Sequence, residues 1–193
     1  MFIIKLNDSK NGIVSNNKLE HNNAILIHNY SLYNNIKITD FDYIPDFGIL
    51  ESDWVDELHW SEEFHIKWCD WITTKIKELL YNNNIDLSKK ILIISDSTLD
   101  YEDENEIIDR KLVFKKYLED KGIPNRILAR GGGSFSSENK KLKFSNMIIR
   151  EKKRKYSAII IIGGTNDCFN TDKKSIILGI KRFVNIANNL INY

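Results

Sequence analysis

Three short stretches carry residue types that acyl transfer requires: SDST at 95–98, ARGGGSFSS at 129–137 and GGTND at 163–167. Ser97 directly follows an apolar run, so its hydroxyl is expected at the rim of a sheet. A serine hydroxyl is a weak nucleophile until a neighbouring base takes its proton. Gly131 to Gly133 let backbone N–H groups approach a substrate closely, and Asn166 carries an amide able to aim at the same point. Together with the N–H of Ser97, such donors make an oxyanion hole, each worth about 3 kcal/mol in the transition state. The base must be a histidine, and all four (His21, His28, His59, His65) precede Ser97. His59 stands apart in VDELHWSEEF, with Asp56 three residues before it and a helix expected just after. A loop carboxylate at that spacing reaches the imidazole and holds the tautomer whose other nitrogen accepts the serine proton.

Plainer roles exist for each group. Ser97 caps a turn, the glycines make a tight loop, and Asn166 with Asp167 caps the following helix, Asp167 being structural in any case. His59 is a surface loop residue in that reading. His65 with Glu62 is a rival base, and Cys168 beside the site is a conceivable thiol nucleophile.

The elements that must hold these loops are legible from apolar patterning. ILIIS at 91–95 and AIIII at 158–162 are unalternated runs rich in β-branched residues, the mark of strands buried on both faces. Between them lie a helix, IIDRKLVFKKYLEDKG, with Ile108, Leu112, Tyr117 and Leu118 on its apolar side and Gly122 and Pro124 as stops; then IPNRILARGGG as strand and loop; then a helix over about 141–155. SIILGIKRFVNIANNLI forms a final amphipathic helix. Upstream, Ser61 caps a helix whose Phe64, Trp68, Ile72, Ile76 and Leu80 make an i, i+4 stripe running to about Asn82. AILIHNY at 24–30 and IKITDF at 36–41 read as strands, and FIIKL and GIV as a hairpin or an edge addition. Alternating strands and helices imply a doubly wound α/β domain.

At 193 residues and 42% hydrophobic, the chain supports one well-cored domain over 1–193 rather than two marginal ones. A net charge of +1 supplies no global field for nucleic acid or an anionic membrane, so neither is an expected partner. The acidic DYEDENEIID lacks calcium-loop spacing and reads as a solvated loop. The basic IIREKKRKYS reads as a helix end complementing the dipole. Two cysteines make no disulfide framework, and neither a signal peptide nor the roughly 20 apolar residues of a membrane span is seen, so a soluble, cytoplasmic protein is expected.

The pieces resemble the GDSL/SGNH hydrolase superfamily, whose four blocks supply a nucleophilic serine, an oxyanion glycine, an oxyanion asparagine and a DxxH pair. SDS at 95–97 is similar to the first block, with Ser95 where the family has glycine; GGGS at 131–134 to the second; GGTND to the third; DELH at 56–59 to the fourth. The resemblance implies Ser97 as nucleophile, Gly133 (or Gly132) and Asn166 as oxyanion donors, His59 as base, Asp56 as its orienter, and no metal or cofactor. It also implies a three-layer α/β/α, flavodoxin-like fold with a mostly parallel sheet of about five strands. In the family the DxxH block comes last, whereas here it comes first, the order a circular permutation gives, with 24–30 counted as the family's fourth strand. Trp60 after His59 resembles branches acting on glycan O-acetyl groups, so the expected substrate is a small-molecule or glycan ester. Alternatives are an acyltransferase on the same site and a non-catalytic SGNH-like or flavodoxin-like binding domain. A haloacid-dehalogenase-like phosphatase with Asp96 as nucleophile and Mg²⁺ as cofactor is disfavoured by Thr98, where that pattern wants a second Asp.

Overall fold

The computed structural model describes residues 2–4, 37–39, 52, 55, 59–101, 107–168 and 172–191. Within them the chain is a mixed α/β structure around a parallel sheet. Strands β1 (Phe2–Ile4), β2 (Lys37–Thr39), β3 (Ile91–Ser95), β4 (Asn125–Ala129) and β5 (Ile159–Ile162) pair in the order β2-β1-β5-β3-β4. Every adjacent pair is parallel. Strands β5, β3 and β4 form its well-packed part, with every residue of β3 and β5 buried, as unalternated isoleucine-rich runs require. β1 departs from the hairpin or edge expected of FIIKL. It lies between β5 and β2, parallel to both, and parallel neighbours need a crossover rather than a tight turn. The strand expected at 24–30, and GIV, lie outside the described residues.

Helix α1 (Glu62–Asn82) begins where Ser61 accepts the N–H of Phe64 on its side-chain oxygen, at 3.2 Å, with Glu62 and Glu63 in the first turn. Its buried stripe is the expected Phe64, Trp68, Ile72, Ile76 and Leu80. Helix α2 (Arg110–Asp120) starts later than its apolar residues suggest, because the Asp109 carboxylate caps the N–H of Leu112 at 2.9 Å. Phe114 and Leu118 therefore face the sheet, while Leu112, expected inside, is 57% exposed. The helix expected over 141–155 is shorter: α3 (Phe144–Ile148) passes into a single 3-10 turn, Ile149–Glu151. Glu151 ends it by turning inward to Arg126, Arg154 and Tyr156, which leaves Lys152 to Lys155 exposed beyond the helix rather than complementing its dipole. After the short α4 (Thr165–Cys168), helix α5 (Lys173–Ala187) is capped by Asp172 on the N–H of Lys174.

Period-two alternation splits the core into two. Ile91 and Ile93 of β3 and Ile160 and Ile162 of β5 pack with α1 and α2. Leu92, Ile94, Ile159 and Ile161 pack with α3 and α5 on the opposite face. Gly179 brings α5 onto the 134–137 loop, since a methyl group there would lie 2.1 Å from the Phe135 carbonyl oxygen. Among the described residues no helix is long and apolar enough to cross a membrane.

Candidate functional site

Because β3, β4 and β5 are parallel, the loops leaving their carboxyl ends share one edge of the sheet, where open α/β sheets bind ligands. Three side chains tie these loops together. Asp96, buried, accepts the N–H and hydroxyl of Thr98 on Oδ1 at 3.1 and 2.8 Å, and the N–H of Gly164 on Oδ2 at 3.1 Å. Asp167 accepts the N–H of Phe135 at 2.8 Å and the N–H and hydroxyl of Ser136 at 2.9 and 2.6 Å. Asp100 accepts the N–H of Gly131 at 2.9 Å. Each of the three loops is thus bonded to the other two. Burial raises the pKa of both Asp96 and Asp167, against the hydrogen bonds that favour their charged forms, and the Asp96 charge pushes Asp167 further up.

The other residues singled out in the sequence sit on this framework. Ser97 lies half-buried in the turn after β3, and among the described residues its hydroxyl makes no hydrogen bond. Asn166 is half-buried and donates from Nδ2 to the Gly133 carbonyl at 3.1 Å, which leaves its second amide hydrogen unassigned. The N–H of Gly133 closes a turn on the Arg130 carbonyl at 2.8 Å, so the expectation of a donor free for substrate meets one already engaged. The Gly132 N–H makes no hydrogen bond among the described residues. Asp167, an expected helix cap, instead bonds across to the β4 loop, where a buried carboxylate is satisfied by three donors.

His59 is held on the loop that carries Ser97. Its ring stacks on Tyr101, four residues beyond Ser97, with centroids 3.9 Å apart and an interplanar angle of 23°. Tyr101 lies under the Arg110 guanidinium, 4.7 Å from Cζ to the ring centroid, and Arg110 donates through Nη2 to the Trp60 carbonyl at 2.6 Å. No hydrogen bond joins His59 to Ser97. Asp56 lies outside the described residues, as does the Cys168 side chain.

The rival base is locked away. His65 is buried in α1, with Nε2 3.3 Å from Cys69 Sγ and 3.4 Å from the Arg110 carbonyl. Burial, aided by the Arg110 charge, draws its pKa down to about 3. Glu62, its supposed partner, accepts the N–H groups of Ile107 and Ile108. Asp96 is likewise unsuited to nucleophilic attack, being 1% exposed with both oxygens engaged.

Tyr101, Arg110 and Asp100 escaped the sequence reading. Arg110 left a signal: a cation in the first turn of a helix opposes the dipole, so another contact must hold it there. That contact is the backbone of the His59–Trp60 segment. Comparison with family models, with curated proteins and with solved structures returns no match for this chain.

Proposed function

We propose that this chain is a serine acyl-ester hydrolase of SGNH type, circularly permuted, acting on a small-molecule or glycan ester. The observation that carries the reading is the sheet order. Counted from β3, the strands run 2-1-3-4-5 across the sheet, the flavodoxin-like order, and the loops that carry SDS, GGGS and GGTND leave the first three strands in that count. The place beside β5 that the family's fourth strand would take is held by β1. Helices on both faces fit the three-layer arrangement the family implies.

In this mechanism Ser97 Oγ attacks the ester carbonyl while His59 takes its proton and returns it to the departing alcohol. Water, activated by His59, then releases the acid and restores Ser97. Asp56 orients the imidazole. The N–H of Ser97, the second amide hydrogen of Asn166 and a glycine N–H hold the oxyanion, Gly132 being the freer of the two glycines. His59 leaves its stack on Tyr101 to meet Ser97 when substrate enters, as catalytic contacts often tighten only in the complex. An acyltransferase would use the same residues with a different acceptor.

The lack of a hydrogen bond between His59 and Ser97 also favours a second reading, a domain that binds an ester or glycan without cleaving it. Hydrolysis of p-nitrophenyl acetate and butyrate by wild type, Ser97→Ala and His59→Ala, with EDTA present, decides between them. Turnover lost in both variants supports the hydrolase; equal rates in all three favour binding alone.

A further inference from the structure

A groove of about 840 Å³ runs along β4 and reaches Ala129 and Arg130, where the 129–137 loop begins. It touches every residue from Arg126 to Ala129, although successive side chains of a strand point to opposite faces. Its floor is therefore the edge of the strand itself. Among the described residues β4 pairs with β3 alone. The bonds from Arg130 N–H to the Ser95 carbonyl and from Ile91 N–H to the Pro124 carbonyl turn the even-numbered residues of β4 toward β3. The N–H and C=O groups of Ile127 and Ala129 consequently face the groove, an open row of alternating donors and acceptors.

The walls are basic. Seven of the lining side chains are lysine or arginine, and Glu151 is the one acid. Glu151 is spent on Arg126 and Arg154, at 2.9 and 2.7 Å. Arg130, Lys140, Lys141 and Arg150 have no carboxylate partner among the described residues, and all four are exposed. In a chain of net charge +1, this is a strong local concentration.

We infer that the β4 edge docks an extended, acidic peptide segment, which adds a strand to the sheet and sets its carboxylates against the basic walls. Such a segment supplies N–H groups for the carbonyls of Ile127 and Ala129 and accepts from their N–H groups. A nucleic-acid or sulfated-glycan strand would instead bring anionic oxygens against those carbonyls. A second copy of this edge would oppose cation to cation. Aliphatic Ile127, Leu128 and Met147 suit alternate apolar side chains.

The test is fluorescence anisotropy of the full chain with a fluorescein-labelled, capped peptide of alternating glutamate and valine. Three controls accompany it: the same peptide N-methylated at alternate residues, a labelled polygalacturonate and a labelled single-stranded oligonucleotide. Saturable binding of the acidic peptide is expected, weakened about tenfold by Lys141→Gln with Arg150→Gln and abolished by N-methylation. Equal binding of the N-methylated peptide, tighter binding of polygalacturonate or oligonucleotide, or no binding of the acidic peptide would each overturn strand addition. The last result would leave the charges as guards of an exposed edge.

Discussion

The carboxylate of Asp96 lies so close to Gly163 that a methyl group on that glycine would stand 2.7 Å from Oδ2. Gly163 also has φ +151°, a conformation L side chains rarely adopt. Gly163→Ala is therefore expected to destabilise the fold by about 2 kcal/mol and to loosen the β5 loop from Ser97. Urea unfolding, with the midpoint falling at unchanged slope, measures it. Asp96→Asn should lose about as much, because its amide would face the Gly164 N–H donor or leave the Thr98 donors unpaired. A midpoint equal to wild type in both variants would show that the two loops are not held by this contact.

Gly179 makes a separate prediction on the other face. Gly179→Ala must push α5 off the Phe135 carbonyl, at a cost of about 3 kcal/mol. Thermal unfolding should show a clear drop in Tm. An unchanged Tm would mean that the helix and loop separate freely.

Arg110 joins the histidine segment to the rest of the site through the Trp60 carbonyl and the Tyr101 ring. Replacing it by methionine keeps apolar volume and removes a charge-assisted hydrogen bond to the Trp60 carbonyl, a loss of about 2 kcal/mol. Esterase activity should fall further than global unfolding explains, since His59 loses its support. Activity per folded molecule, measured well below the unfolding midpoint, checks this.

The acid limb of stability should depend on Glu151. Burial pushes its pKa up, but hydrogen bonds from Arg126, Tyr156 and Arg154 outweigh that and hold it down to about 2, against an ordinary 4.5. A lowered folded-state pKa gives stability that is complete above the ordinary value and lost as pH falls toward the folded one. Asp96 and Asp167, raised by burial, work in the opposite sense. Comparing Glu151→Gln with wild type in denaturant melts between pH 5 and pH 2 isolates the first effect. The wild type should lose its advantage over the variant as pH falls, and a constant difference would contradict the assignment.

The parts of this molecule legible in its sequence are those set by local pattern. The isoleucine runs marked β3 and β5, and the i, i+4 stripe with its serine cap marked α1, because burial on two faces or on one stripe leaves a periodic trace. The extents of α2 and α3 depart from the apolar pattern where one side chain overrides it: Asp109 delays the start of α2, and Glu151 ends the turn that follows α3. The position of β1 inside the sheet left no trace in FIIKL, since a three-residue strand has no period to read. At the site, residue types at strand ends pointed to Ser97 and Asn166. The hydrogen bond that engages Gly133 and the Tyr101 stack that holds His59 depend on loop geometry that no spacing encodes.

In the proposed mechanism Ser97 is a nucleophile served by His59. The most direct measurement of this is p-nitrophenyl acetate hydrolysis with EDTA present, together with covalent labelling by a fluorophosphonate probe and peptide mapping of the adduct. Label on Ser97, no label in Ser97→Ala, and a rate at least a hundredfold lower in both Ser97→Ala and His59→Ala are expected. Undiminished turnover in either variant, or label carried elsewhere, would contradict the mechanism.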